Sequence, residues 1–166
     1  MLSKFKRSKH QQHLAQLPKL PQTVADVRTL YAPSDFRTTL LDAIANATQR
    51  IYLVALYLEH DDAGREILNA LYQAKQRRPE LEICVLVDWH RAQRGRIGAA
   101  AANTNADWYC AMAGQHPEQS VPIYGVPVNT REALGVLHLK GFVVDDTVIY
   151  SGASINDVYL HQHEKY

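Results

Sequence analysis

The sequence is poor in cysteine and has no long apolar run. Its longest apolar run, Ile51 to Leu58 (IYLVALYL), is far shorter than the about 20 residues that a membrane-spanning helix requires, and no signal-peptide core follows the first lysines. The two cysteines, Cys84 and Cys110, lie among apolar or aromatic neighbours and lack zinc-finger spacing. These absences disfavour membrane-spanning, disulfide-stapled and zinc-binding proteins. We therefore expect a cytosolic chain with two reduced core cysteines and no metal.

Acidic residues are absent from the first 25 residues, although the net charge of the whole chain is only +1. Five basic residues lie there: Lys4, Lys6, Arg7, Lys9 and Lys19. A basic arm of this kind is attracted to anionic lipid headgroups or to nucleic acid by roughly 1 kcal/mol per charge near such a surface. The alternative is a solvated, frayed terminus. The prolines of the sequence LPKLPQ predict that the arm spans residues 1–22 and that a domain occupies residues 23–166.

The remainder of the chain alternates between helical and strand periodicity. After a Ser34 cap, Phe36, Leu40 and Ile44 share one helical face. The predicted helices are 34–50, 61–78 and a short one around 107–113. The predicted strands are 50–58, which we expect to be buried on both faces, then 81–89, 121–128 and a hairpin within 136–157. With 166 residues and 46% hydrophobic content, this order predicts a single layered α/β domain with a mixed, largely parallel sheet.

Polar side chains collect in the predicted hairpin. His138 and Lys140 are two residues apart, so on a strand they point the same way, while Leu137, Leu139 and Val143 would face apolar packing. Asp145 lies at the predicted turn. At the end of the return strand, the sequence places Ser154 and Asn156. An imidazole, an ammonium, a hydroxyl and a carboxamide brought together can attack phosphorus and hold its non-bridging oxygens.

A basic segment follows the strand predicted at 81–89. It carries Arg91, Arg94 and Arg96, and open α/β sheets bind ligands beyond the carboxyl ends of their strands. These arginines are therefore candidates for binding an anionic ligand. The alternative is a solvated basic loop.

The pattern His138-x-Lys140-x4-Asp145, followed by GASIN, resembles the HKD signature of the phospholipase D superfamily. The resemblance implies a layered α/β/α fold and cleavage of phosphodiesters through a phosphohistidine, without a metal or other cofactor. We therefore group His138, Lys140 and Asp145 as the catalytic motif, with Asp145 ordering the hairpin or Lys140. In the common family pattern Gly and Ser are adjacent, whereas Ala153 separates Gly152 from Ser154 here.

Three longer segments resemble one particular branch of that superfamily. The segments LVDWHRAQRGRIGAAAANTNADWYC, VPVNTREALGVLH and YSGASINDVYLHQH are similar to the bacterial branch that transfers the phosphatidyl group of CDP-diacylglycerol to L-serine. This resemblance implies those two substrates and a cytoplasmic protein peripherally associated with the inner membrane. Ser154 and Asn156 would then bind phosphate, and the three arginines would bind the cytidine nucleotide.

The sequence holds one HKD motif, whereas members of the superfamily use two that face each other across one active site. We therefore expect either an N-terminal part of a longer protein or a chain that pairs with a second copy. Two rival functions stay open. One is a homodimeric HKD nuclease, and the other is a non-catalytic half-domain that binds nucleotide or membrane.

Overall fold

The computed structural model describes residues 9–19, 21–95, 104–128 and 137–160, and within them five strands form one mixed sheet. The strands are β1 (Arg50–Ala55), β2 (Glu82–Asp88), β3 (Ile123–Val126), β4 (Gly141–Val144) and β5 (Thr147–Tyr150). The helices are α1 (Lys9–Gln16), α2 (Pro33–Asn46), α3 (Asp62–Arg77), α4 (Trp89–Ala92), α5 (Asn105–Gln115) and α6 (Asp157–Leu160), with a 3-10 turn at Val24–Asp26. The predicted α/β class is confirmed.

The order of the strands is β3-β2-β1-β4-β5. Strands β1, β2 and β3 are parallel, β4 runs antiparallel beside β1, and β5 runs antiparallel beside β4. In this register Val54 lies opposite Gly141, and Gly141 lies opposite Tyr150. The carboxyl ends of β1, β2, β3 and β5 therefore meet the amino end of β4 at one edge of the sheet, which we call the C edge.

The core lies on one face of the central strand. Ile51, Leu53 and Ala55 of β1 are buried, while the alternating residues Tyr52 and Val54 are only half-buried. The expectation that this strand is buried on both faces is therefore wrong. Its buried face joins a core to which α2 and α3 contribute the following side chains: Phe36, Leu40, Ile44, Ile67, Leu68 and Leu71.

Helix α3 shows how the sequence sets an element's ends. The Asp61 carboxylate accepts a hydrogen bond from the Gly64 N–H at 2.9 Å and so caps the first turn. At the other end, the Lys75 ammonium donates to the carbonyls of Pro79 and Leu81, where a cation also complements the helix dipole. The helix predicted at 61–78 is thus confirmed within a residue at each end.

The predicted hairpin is confirmed, but its strands are shorter than predicted. Asp145 occupies the turn between β4 and β5 with φ of +50°, a left-handed conformation that aspartate tolerates better than most residues. Strand β4 begins only at Gly141. His138 and Lys140 consequently precede the strand instead of lying within it.

The predicted arm contains α1, and its described residues 12–19 are all exposed. None of the helices in the described part of the chain combines the length and apolar character needed to cross a membrane. Both cysteines are free; Cys84 is half-buried in β2, but Cys110 is exposed on α5. The expectation of a core position for Cys110 is wrong, because Trp108 and Tyr109 occupy the inward side of that helix.

Candidate active site at the C edge of the sheet

The topology gathers most of the predicted site residues at the C edge. His138 and Lys140 immediately precede β4, and Ser154 and Asn156 follow β5. Arg91 lies in α4, which begins directly after β2. Since β4 runs antiparallel to β1, the amino end of β4 and the carboxyl end of β1 lie side by side. The segments that follow β1, β2 and β5 therefore meet the segment that precedes β4.

His138 and Lys140 form the centre of this site. The Lys140 Nζ lies 3.4 Å from the His138 Nε2, so the prediction that the two side chains share a side is confirmed. Lys140 is only 3% exposed, and burial lowers the pKa of its ammonium below the usual 10.5. His138 is exposed. A buried cation therefore stands beside an imidazole that an incoming substrate can reach.

The packing around this pair differs from the prediction. Leu139 is half exposed, and Leu137 is only partly buried, whereas Phe142 and Val144 are buried. The expectation that Leu137 and Leu139 face apolar packing is wrong. Because alternation along β4 places Lys140 on the same side as Phe142, the core-facing side of the strand is the side that carries the lysine.

Ser154 and Asn156 lie in a segment that is hydrogen-bonded to the residues that follow β1. The Glu59 N–H donates to the Ile155 carbonyl at 3.2 Å, next to a parallel bridge between Leu58 and Ile155. The Asn156 Oδ1 accepts the Tyr159 N–H at 3.2 Å. Asn156 lies near the hydroxyl of Tyr57, whose pKa is raised mainly by burial. The structure thus brings Ser154 and Asn156 to the same edge as His138.

Tyr57 and the fully buried Asp88 are site residues that the sequence interpretation missed. Tyr57 lies close enough to Arg91 for the guanidinium to counteract the rise in the tyrosine's pKa. Asp88 accepts hydrogen bonds from the N–H groups of Arg91 and Leu137. An aspartate at the end of an apolar strand is a sequence signal for a helix cap, but no sequence pattern indicated the bond between Asp88 and Leu137, 49 positions later.

Of the three predicted nucleotide-binding arginines, two lie in described parts of the chain. Arg91 is half-buried in α4, and Arg94 is exposed just beyond it. The carbonyl of Arg94 accepts the Asn105 N–H at 3.0 Å, which ties this loop to α5. Arg96 lies outside the described residues. Arg91 and Arg94 therefore flank the C edge with positive charge.

Asp145 lies at the opposite edge of the sheet from its predicted catalytic partners. Its carboxylate accepts the backbone N–H groups of Thr48, Gln49 and Arg50 at 2.8 to 3.0 Å. These bonds, that of Arg50 foremost, lower its pKa from 3.8 to about 2. Strand β4 separates Asp145 from Lys140, which at about 3.4 Å per residue amounts to roughly 15 Å. Asp145 fastens the hairpin to the start of β1 and so orders the hairpin, one of the two roles expected for it.

The chemistry available at the C edge is that of phosphoryl transfer. An imidazole can attack phosphorus or move a proton, and a neighbouring ammonium can neutralise the non-bridging oxygens. No cluster of three histidine, cysteine or acidic side chains suited to a metal lies within the described ranges. The donor set at the edge is one of nitrogen bases and amides, which suits an anionic substrate.

A buried lysine that supports an exposed histidine at the polar edge of a mixed α/β sheet defines a domain of the HKD class. Residues 40–157 match the family described as "Cardiolipin synthase, PLD-like domain", and the chain belongs to this phospholipase D-like family. The resemblance predicted from the motif is thereby confirmed.

Individual proteins within the family are also similar to this chain. Over its full length the chain is 74% identical to the CDP-diacylglycerol–serine O-phosphatidyltransferase of Escherichia coli (strain K12). It superposes on the crystal structure of phosphatidylserine synthase from Haemophilus influenzae with a TM-score of 0.81 and 51% identity, over 93% of this chain and 34% of that one. A Salmonella typhimurium phospholipase D family member, Nuc, shares the fold with a TM-score of 0.50 at 23% identity, over 76% of this chain and 69% of that one. The chain spans 37% of the length of the E. coli relative.

Proposed function

We propose that this chain supplies one half of the active site of a phosphatidylserine synthase. In this reaction the phosphatidyl group of CDP-diacylglycerol passes to L-serine with release of CMP. The observation that carries the proposal is the His138–Lys140 pair, 3.4 Å apart, in a chain 74% identical to an E. coli enzyme named for this transfer. The other half would come from a second HKD motif, in the same polypeptide or in a second copy.

The proposed chemistry has two steps that share one geometry. One of two facing histidines attacks the phosphatidyl phosphorus, so that an N–P bond forms while the P–O bond to CMP breaks. The other histidine gives a proton to the departing CMP oxygen. It then takes the proton of the serine hydroxyl, whose oxygen displaces the first histidine and restores it. His138 is one of this pair, and its exposure at the C edge leaves room for phosphorus to approach.

The neighbouring side chains have supporting roles in this proposal. Lys140 neutralises the charge of the phosphate oxygens, and its buried position strengthens that interaction because little water screens it. Ser154 and Asn156 donate hydrogen bonds to the same oxygens. Arg91 and Arg94, with Arg96, grip the diphosphate of the cytidine nucleotide. Asp145 takes no part in the chemistry.

The same proposal gives a role to each of the two predicted parts of the chain. Residues 23–166 form the first HKD domain, and residues 1–22 form a basic arm that holds it against anionic lipid at the cytoplasmic face of the inner membrane. CDP-diacylglycerol carries its acyl chains in the bilayer, so attraction to an anionic surface would bring the site to this substrate. The five positive charges of the arm, without an acid among them, support this role.

A chimeric protein tests the proposed function. This chain replaces the corresponding segment of the E. coli relative, and the chimera is compared with the isolated 166-residue chain. We expect the chimera to form phosphatidylserine from CDP-diacylglycerol and serine, and we expect the isolated monomeric chain to form little or none. An inactive but folded chimera would contradict the proposal. Degradation of plasmid DNA by the isolated chain would instead indicate the homodimeric nuclease.

A further inference from the structure

Asp88 is a fully buried carboxylate at the end of β2. One of its oxygens accepts the Arg91 N–H at 2.8 Å, and the other accepts the Leu137 N–H at 2.9 Å. Its own N–H donates to the Leu56 carbonyl at 3.1 Å. A single residue therefore joins the end of β1, the first turn of α4 and the segment that leads into the HKD motif.

The buried carboxylate of Asp88 must be stabilised by the groups around it. A buried carboxylate is costly unless it is hydrogen-bonded or paired, and no ion pair within the described residues involves Asp88. Its charge is instead stabilised by two backbone N–H groups. An asparagine could not serve both, because its amino group would face one of two donors. The local geometry thus requires an acceptor at both oxygens.

The bond to Leu137 fixes the chain one residue before His138. Two residues after His138, the Lys140 carbonyl accepts the Ser151 N–H at 3.2 Å, which marks the beginning of the hairpin. His138 therefore lies between two anchors, one at Leu137 and one at Lys140. Its imidazole is exposed, and among the described residues Lys140 is its only hydrogen-bond partner, so the backbone anchors set where the ring lies.

A second carboxylate at the same edge shows the same arrangement. Asp61 is 5% exposed, and its two oxygens accept the Gly64 N–H at 2.9 Å and the Asp157 N–H at 2.7 Å. It thereby caps α3 and holds the residue that follows Asn156. Asp61 thus links the segment after Asn156 to the cap of α3, and Asp88 links the segment before His138 to the cap of α4.

We propose that Asp88 is a positioning residue for the transfer reaction: it holds the backbone at Leu137 so that the His138 imidazole meets the phosphorus beside Lys140. The inference rests on the proposed function. Asp88 itself touches no substrate and moves no proton. With the same carboxylate it sets α4, and hence Arg91, at a fixed position relative to the histidine.

Two substitutions at Asp88 separate this role from helix capping. In Asp88→Ser the hydroxyl still caps α4, since serine is a favourable N-cap, but it is too short to reach Leu137 as well. Asp88→Asn keeps the size of the side chain and loses one acceptor. The matched control is Asp107→Ser, which changes the capping box of α5, where an exposed aspartate bonds Thr104. All three are made in the chimera described above.

We expect kcat to fall by about 10- to 100-fold in both Asp88 variants, because a displacement of about 1 Å at a reacting group costs up to about 100-fold. The KM for serine should stay within about twofold, and both Asp88→Ser and Asp107→Ser should remain folded at the assay temperature, with wild-type kcat in Asp107→Ser. Wild-type kcat in Asp88→Ser would overturn the inference, since it would show that the cap alone is what matters.

Hydrogen exchange of the Leu137 amide gives a readout that does not depend on turnover. Exchange there should accelerate in Asp88→Ser and Asp88→Asn, while the amides of β1 stay protected and Asp107→Ser matches the wild type. Unchanged protection of Leu137 would overturn the inference even if kcat fell. If the unsubstituted chimera makes no phosphatidylserine, the proposed function fails, and Leu137 exchange alone then decides whether Asp88 anchors this segment.

Discussion

Replacing Asp145 by asparagine tests whether the third residue of the HKD motif acts in chemistry or in folding. The change is nearly isosteric, and asparagine also tolerates the left-handed turn that Asp145 adopts with φ of +50°. What it removes is acceptor capacity: the carboxylate accepts the Thr48 N–H and hydroxyl through one oxygen and the N–H groups of Gln49 and Arg50 through the other. The amino group of asparagine would face one of these donor pairs.

The lowered pKa gives the expected magnitude. The difference between 3.8 and about 2 corresponds to an upper bound of roughly 2 kcal/mol at 1.36 kcal/mol per pH unit. Because the carboxylate is only partly buried, solvent screening reduces this, and we take about 1 kcal/mol. For a chain of this size that loss lowers the thermal midpoint by about 2 to 4 °C.

The pH dependence follows from the sign of the shift. The folded-state pKa is below the unfolded-state value, so the contribution of Asp145 to stability is complete above about pH 4 and is lost as the pH falls towards about 2. Urea unfolding at pH 7 should therefore show the full difference between wild type and Asp145→Asn. The difference should shrink progressively below pH 4.

The neighbouring Asp146 provides the control. It lies in the same turn but makes a single exposed ion pair with Arg50 at 3.1 Å, so Asp146→Asn should change the free energy of unfolding by less than about 0.5 kcal/mol. In the chimera, Asp145→Asn should keep its turnover per folded molecule within about threefold at 25 °C, where both proteins are folded. A variant of unchanged stability that has lost turnover by 100-fold would refute this account of Asp145.

Three further predictions concern other parts of the chain. Lys140→Met should unfold at an equal or higher urea concentration at pH 7, because the buried ammonium is costly to desolvate, while turnover in the chimera falls by at least about 100-fold. The gain in stability should shrink as the pH rises through the lowered folded-state pKa of Lys140 towards 10.5, the value in the unfolded chain. Deleting residues 1–17 should abolish most sedimentation with anionic vesicles; in the intact protein this binding should weaken between 0.1 and 1 M salt, as the Debye length falls from about 10 to about 3 Å. Tyr109→Phe should cost about 1 to 3 kcal/mol in urea unfolding, because the buried hydroxyl bonds both the N–H and the carbonyl of Leu58, and an unchanged midpoint would contradict that role.

Local patterns were sufficient to predict most of the elements and the central pair of the site. The helical spacing of Phe36, Leu40 and Ile44 predicted α2, and the apolar runs predicted β1 and β2. The spacing of His138 and Lys140 predicted that the two side chains lie together, because residues two apart in an extended chain share a side. Each of these inferences depends on residues that are close in sequence.

The parts that failed depend on where the strands lie in the sheet. The motif spacing grouped Asp145 with His138 and Lys140, but the four residues of β4 separate Lys140 from Asp145 and place the aspartate at the opposite end of the strand, where it orders the hairpin, one of the roles expected for it. The orientation of β4 depends on its pairing beside β1, so the sequence could not show that Leu139 faces solvent and Phe142 the core. The anchor at Asp88 joins residues 49 positions apart, a contact that only the tertiary fold creates.

The most direct test of the central claim is the rate of CMP release from CDP-diacylglycerol in the presence of serine, measured on the chimera with and without His138→Asn. His13→Asn, on the exposed helix α1, serves as the control for a histidine outside the site. If His138 is one of the two exchanging histidines, its replacement should lower the rate by at least about 10² to 10⁴, with an unchanged thermal midpoint and a fully active His13 variant. Near-wild-type CMP release by the folded His138→Asn protein would contradict the account.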